Sequence, residues 1–383
     1  MKIISIGTDR SIFKQDSAIR ARVIEYGTLF DELHIVVFSR RALVNKKEQV
    51  SENVWIYPTN SLFKLLYIRD ALLISSRIVR ERKLSMEDTV VTCQDPFETG
   101  LVGMKLKKKF NIPLHIQIHT DLLSPFFSSS SVLNRIRIRL AKKVFKQADA
   151  VRAVSKRIAD SLFDSKIILK SPTILPIFVD VEKIQNTSVT IDLKKKYPQF
   201  NFVILMASRL TKEKNIFLAL NVMTKLVKQY PRVGLIVVGE GLEEESLKSF
   251  VEDHNLTRNV VFEAWRGDLI SYYKTANLFL VTSDYEGYSM TVVEALSAHC
   301  PTISTDVGIA SEVLKDGDSF VCPVGDSKCL FEKVKKFIEN SGLRETFTHE
   351  AFLRLPLVTC PSKKEYLEKY KASIESAQMS RKI

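Results

Sequence analysis

The chain has 383 residues, 45% of them hydrophobic and 26% charged, with a formal net charge of +13. That length exceeds one ordinary core and predicts two domains, and that balance excludes a disordered or fibrous chain. No apolar run reaches the roughly 20 residues that cross a bilayer, which excludes a helical membrane span.

In chain order, Met1-Lys-Ile-Ile-Ser-Ile-Gly7 reads as a first buried strand rather than a secretion signal. Strand patterns follow at residues 33–38, 54–56, 89–92, 114–118 and 150–154. Helical patterns at 18–26, 62–82, 100–110 and 132–146 separate them, and the serine run 128–131 reads as a mobile loop. A second series begins after Pro172 and Pro176. Its strands are 202–207, 234–238, 260–262, 278–281, 302–304 and 320–321, and its helices 216–229, 243–253, 269–275, 291–298 and 328–340. Strands alternating with amphipathic helices imply βαβ units on a largely parallel sheet. The expectation is an α/β chain of two Rossmann-like domains, residues 1–175 and 176–355, facing across a cleft. A last segment, 356–383, carries a helix at 362–376.

The charge is one-sided. Residues 1–175 carry 30 Lys and Arg against 17 Asp and Glu, and the rest of the chain carries 27 of each. A one-sided excess predicts that the first half faces something anionic. The first half holds no nucleic-acid motif, so no nucleic-acid partner is expected. The five cysteines form no CxxC pair, which predicts reduced buried thiols rather than a metal site.

Several loops at predicted strand ends carry chemistry. Ala207-Ser-Arg-Leu-Thr-Lys-Glu-Lys-Asn215 delivers Arg209 and Lys214 to a helix start. A guanidinium that binds bidentately, an ammonium point charge and a helix N-terminus make a diphosphate site. A solvated charged loop is the alternative. Asp284-Tyr-Glu-Gly-Tyr-Ser-Met-Thr-Val-Val-Glu294 separates Glu286, in a glycine-containing turn, from Glu294, in a helix. Thr291-Val-Val-Glu294 also fits a capping box, which would make Glu294 structural. Val238-Gly-Glu-Gly241 ends a strand in a glycine turn at Gly239, and Phe262-Glu-Ala-Trp265 ends another. In the first half, Gln117-Ile-His-Thr-Asp121 puts His119 at the carboxyl edge of its sheet, and Gly7 ends the first strand.

Together these motifs resemble the retaining glycosyltransferases of family 4, which have the GT-B fold and a Glu-x7-Glu signature. The resemblance implies that Arg209 and Lys214 hold the diphosphate of a nucleotide-sugar, Glu286 its sugar and Glu294 its ribose. The backbone of Gly287, Tyr288 and Ser289, with the turn at Gly239, would assist. It puts His119 beside the transferred sugar, with Asp121 orienting it or the acceptor, and Gly7 in a phosphate- or acceptor-facing loop. It implies a hexosyltransferase-like enzyme with no cofactor and no essential metal, using front-face attack and a UDP-sugar in preference to a GDP-sugar. The acceptor would be a glycan or a lipid-linked molecule in cell-surface polysaccharide synthesis. The last helix would cross back onto the first domain. Departures are Asn215 and Ser289 where glycine is common, a single Gly308, and only Gly7 in the first loop. A sugar-nucleotide epimerase and a non-catalytic sugar-nucleotide-binding subunit are the alternatives. Basic stretches at 100–109 and 135–146 read either as an amphipathic helix with its basic face in water or as contact with an anionic membrane surface; the expectation is a cytoplasmic protein, in the second case peripheral on the inner face of the membrane.

Overall fold

The computed structural model describes residues 1–41, 46–168, 170–314 and 320–380. These divide into two compact units, 1–175 with 362–383, and 176–361.

The first unit is built on β1 (Lys2–Gly7), β2 (Glu32–Val37), β3 (Glu48–Ser51), β4 (Val54–Pro58), β5 (Thr89–Cys93), β6 (Leu114–Ile118), β7 (Ala150–Ala153) and β8 (Thr173–Ile174). They form one sheet in the order β3-β4-β2-β1-β5-β6-β7-β8, parallel except where β3 meets β4. Its helices are α1 (Ala18–Gly27), α2 (Tyr67–Glu81), α3 (Glu98–Phe110), α4 (Pro125–Ser130), α5 (Val132–Phe145) and α6 (Lys156–Asp164). The serine run 128–131 is thus not a mobile loop. It ends α4, and Ser131 caps α5 by accepting from the Asn134 amide. A serine hydroxyl that meets an orphan amide at a helix start replaces flexibility with a fixed turn.

The second unit uses β9 (Phe202–Ala207), β10 (Val233–Val238), β11 (Val260–Glu263), β12 (Leu278–Val281), β13 (Thr302–Thr305) and β14 (Val321–Cys322). The order is β11-β10-β9-β12-β13-β14, and every pairing is parallel. All residues of β9, β10 and β12 are buried, as strands covered on both faces must be. Its helices are α7 (Val181–Asn186), α8 (Leu193–Lys196), α9 (Ile216–Gln229), α10 (Glu244–Asp253), α11 (Leu269–Thr275), α12 (Met290–Ser297), α13 (Ala310–Val313), α14 (Ser327–Glu339) and α15 (Ser341–Leu353). The unit runs on to Pro361 because the segment after α15 packs inside it. The Tyr288 hydroxyl donates to the Val358 carbonyl at 2.6 Å.

α16 (Lys363–Met379) belongs to the first unit. Tyr366, Tyr370, Ile374 and Ala377 recur at helical spacing and are buried, and the helix packs on β5, β6 and β7. Arg152 of β7 is buried beneath it. Its guanidinium donates to Gln117 Oε1 at 3.0 Å and to the Leu175 carbonyl at 3.2 Å, and lies over the Tyr370 ring.

One expectation about cysteine is corrected. Cys93, Cys300 and Cys360 are buried thiols, but Cys322 and Cys329 form a disulfide. The chain turns at Gly325, and the first turn of α14 brings the two Cα atoms within 5.8 Å, a separation that suits a bridge. A seven-residue spacing has no motif, so sequence reading passed it by.

Candidate active site

Strand order fixes where each sheet offers a crevice. In the second unit the chain leaves β9 toward β10 and β11, then returns to the other side of β9 as β12. The two loops therefore diverge at the carboxyl ends of β9 and β12, the usual ligand position in an open parallel sheet.

The loop after β9 is held by close backbone packing. Gly239, at φ +151°, lies so near that a Cβ there would stand 1.8 Å from the Ser208 carbonyl oxygen. A Cβ at Gly241 would stand 2.3 Å from the Leu210 carbonyl oxygen. Glycine is the residue that permits this approach. It leaves room for the Leu210 amide to reach the Glu240 carbonyl at 2.9 Å and fixes Arg209 between them. A short 3-10 turn, Lys212–Lys214, follows, and Asn215 takes the left-handed conformation at φ +45° before α9. Asparagine tolerates that region, so it serves where a glycine was the expectation.

The loop after β12 is tied to this turn. Asn215 Nδ2 donates to Asp284 Oδ1 at 2.7 Å, and Thr282 Oγ1 to the Lys214 carbonyl at 3.0 Å. The Asp284 amide donates to the Glu213 carbonyl at 2.8 Å. Lys214 Nζ is ion-paired with Glu286, whose Oε1 also accepts from Ser283 Oγ at 2.8 Å. Arg209 pairs with Glu213 at 3.2 Å and keeps 74% of its side chain in solvent. A cavity of about 150 Å3 is lined by Arg209, Lys214, Glu286, Ser283, Thr291 and Trp265, among others. Three of the residues that sequence picked out thus share one cavity within the second unit.

Glu294 lies farther along α12 and does not line that cavity. Tyr273 Oη donates to its Oε2 at 3.1 Å. Burial pushes the Glu294 carboxyl above its ordinary range, and the tyrosine hydrogen bond opposes part of that. The capping box does not form. Ser289, at φ +74°, is the residue before the helix, so Thr291 already lies in the first turn. Ser289 takes the cap position two residues ahead of Thr291, which leaves Glu294 no cap to answer.

The Tyr288 side chain points into the core toward Val358, so only its backbone remains for a ligand. The Ser289 hydroxyl is buried and has no hydrogen-bond partner among the described residues. Gly308, at φ +53°, fits beneath it, since a Cβ there would stand 2.5 Å from Ser289 Oγ. Gly287 stands in the same turn.

In the first unit the divergence lies between β1 and β5. Gly7 ends β1, and the next amide, of Thr8, donates to Gln94 Oε1 at 3.0 Å. Asp9 then caps a 3-10 turn, Arg10–Phe13. His119 and Asp121 follow β6 on the same edge. Burial, and then the Arg152 and Arg22 charges, push His119 down to about 3, so it is a neutral hydrogen-bonding group at physiological pH. Burial raises Asp121, while Arg157 and the Ser124 and Leu123 amides pull it back.

Sequence reading missed Gln94 and Asp95. Burial raises Asp95 to about 6 although the Phe97 amide donates to it at 2.8 Å. A Gln-Asp-Pro run immediately after a buried strand was the available signal.

Residues 191–354 match the family described as Glycosyl transferases group 1, and residues 31–183 match Glycosyltransferase Family 4. This chain belongs to the group 1, family 4 type of glycosyltransferase. Among relatives of this family 4 chain, an uncharacterized glycosyltransferase of Methanocaldococcus jannaschii is 28% identical over 276 residues, 69% of this chain and 63% of its own length. The alpha-monoglucosyldiacylglycerol synthase of Acholeplasma laidlawii is 26% identical over 284 residues, 69% of each chain. The solved structure of HepE from Anabaena in complex with UDP-glucose has a TM-score of 0.75 at 18% identity and covers all of both chains. At that identity the likeness speaks to fold, and the GT-B architecture of two Rossmann-like domains is what it shares with family 4.

Proposed function

We propose that the protein is a retaining glycosyltransferase that moves a sugar from a nucleotide-diphosphate sugar to a glycan or lipid-linked acceptor in cell-surface polysaccharide synthesis. The observation that carries this is the convergence of Arg209, Lys214 and Glu286 on one cavity at the divergence of β9 and β12. Arg209 grips the diphosphate bidentately and Lys214 meets it as a point charge. Both offset the charge that develops as the nucleotide leaves. Cations already in place are the basis for proposing that no metal is essential. Glu286 holds the hydroxyls of the sugar, and Glu294 those of the ribose, as carboxylates accept from neighbouring hydroxyls. His119, held neutral, donates or accepts near the transferred sugar, with Asp121 beside the acceptor. No carboxylate is assigned as a nucleophile, so attack comes from the face the diphosphate leaves, and the anomeric configuration is kept.

A UDP-sugar is the favoured donor, supported by the UDP-glucose complex of HepE. A lipid-linked acceptor is supported by the lipid in the name of the Acholeplasma relative. Such an acceptor would put the protein in the cytoplasm, peripheral on the inner face of the membrane. The test is release of UDP from UDP-glucose by the intact chain and by Arg209→Ala and Lys214→Ala. Each variant should lose about 100- to 1,000-fold in turnover with melting temperature unchanged. Near-normal release by both variants would refute the diphosphate assignment.

A further inference from the structure

Strand order decides which helices of the first unit share a face. The β1-α1-β2 crossover runs one way along the sheet, while β4-α2-β5, β5-α3-β6 and β6-α5-β7 run the other. Right-handed crossovers therefore put α2, α3 and α5 in one layer and α1 on the opposite face. Within that layer α2 packs on α3 and α3 on α5.

The outer surface of the layer is basic. α5 holds five Arg and Lys and no acid, α3 holds four Lys and one Glu, and α2 holds three Arg and two acids. Lys107 is spent on Asp149 and Arg137 on Glu98. Lys105, Lys108, Arg135, Arg139, Lys142 and Lys143 are exposed. Exposed apolar side chains accompany the same helices. Leu62, Phe63, Leu65 and Leu73 are exposed before and along α2, with Leu65 at 91% and Phe63 at 60%. Phe126, Val132, Leu133 and Ile136 are exposed at the start of α5. A merely solvated layer gains nothing from eight large apolar tips in two groups. Beside the first group a cavity of about 540 Å3 at the carboxyl end of β4 is lined by Arg41, Asn60, Leu62, Leu66 and Arg69, with Asp70 paired to Arg69 at 2.9 Å.

Cations interleaved with apolar tips, on helices roughly 20 Å long lying side by side, complement a surface that is anionic outside and apolar just beneath. We propose that the α2–α3–α5 layer docks on an anionic lipid bilayer. Phe63, Leu65, Leu133 and Ile136 enter the acyl boundary, and the lysines and arginines meet headgroup phosphates. One such phosphate lies in the cavity between Arg41 and Arg69. Nucleic acid would satisfy the cations, but aliphatic tips give its bases no aromatic platform to stack on. The inference rests on the acceptor half of the function proposed above and not on the donor half.

The test is co-sedimentation of the full chain with vesicles of mixed phosphatidylglycerol and phosphatidylcholine, and of phosphatidylcholine alone. Binding to the anionic vesicles should be at least about tenfold tighter at low salt. The double variant Phe63→Ser, Leu65→Ser should weaken it by about 100-fold, because two exposed apolar anchors are removed. The pair Arg135→Glu, Arg139→Glu should weaken it too and flatten its salt dependence. Thermal shift with UDP-glucose should be the same in all variants, since the donor cavity lies in the other unit. Equal binding to both vesicle types, binding to neither, wild-type binding by the serine variant, or displacement from anionic vesicles by single-stranded RNA would each overturn the proposal. Vesicle binding that persists in a protein with no UDP-glucose response would uphold the docking and sink the donor assignment instead.

Discussion

In the function proposed above, Glu294 is asked to fill two roles with opposite demands. Buried against Tyr273, its carboxyl favours the protonated form and titrates above the ordinary value of 4.5. Its contribution to stability is therefore fully present below pH 4.5 and is lost as pH rises through the raised value. Two ribose hydroxyls donating to it would favour the ionised form and pull the value down. Between those limits, binding must release a proton. UDP affinity should therefore rise with pH up to the folded value and be flat above it, and calorimetry in buffers of different ionisation heat should detect the released proton. Glu294→Gln should abolish that dependence. A wild-type affinity that is constant with pH would remove Glu294 from the ribose. His119 makes the contrasting case. Burial, and then the Arg152 charge, keep it neutral, so a pH limb between 5 and 7 should not come from this residue.

Loops rather than helices or strands decide where Arg209 and Lys214 stand. Gly239→Ala would drive a methyl group into the Ser208 carbonyl at a backbone angle that L residues avoid. The expected cost is about 2 kcal/mol or more, read as a fall of several degrees in melting temperature. Because the strain falls on the residue before Arg209, UDP affinity should drop as well. Gly267→Ala makes a control, since nothing lies within 4 Å of its Cβ position. Much at this scale was legible in the residues. Buried parallel strands such as 202–207 announce themselves by continuous apolar runs, and Arg209, Lys214 and Glu286 follow such runs directly. What stayed hidden depends on contacts between distant segments. The hydrogen bond of Asn215 to Asp284 spans 69 residues, and the Cys322–Cys329 bridge has no motif. The left-handed Ser289 takes the cap position two residues before Thr291 and undoes an apparent capping box, because a single backbone angle can override a local pattern. β3 escaped notice because three of its four residues are polar and none is fully buried at this sheet edge.

At the scale of the molecule, the first half carries the excess charge that the sequence indicates, and its strand order concentrates that charge on one helix layer. The same half is not finished by its own segment of chain, because α16 supplies the cover for β5, β6 and β7. Removal of residues 362–383 would bare that face and leave Arg152 without its aromatic lid. Four inward side chains at about 1.5–3 kcal/mol for each large one approach the whole stability of a typical domain. The truncated chain should therefore lose the first unit while the second still melts cooperatively and still shifts with UDP. Two intact transitions in scanning calorimetry would contradict this. A ribosome making this chain completes the second unit before it delivers the helix that closes the first. For that interval the newborn first sheet is an open apolar surface, and the early-made half must wait, exposed to aggregation or guarded by a chaperone, for the late-made helix.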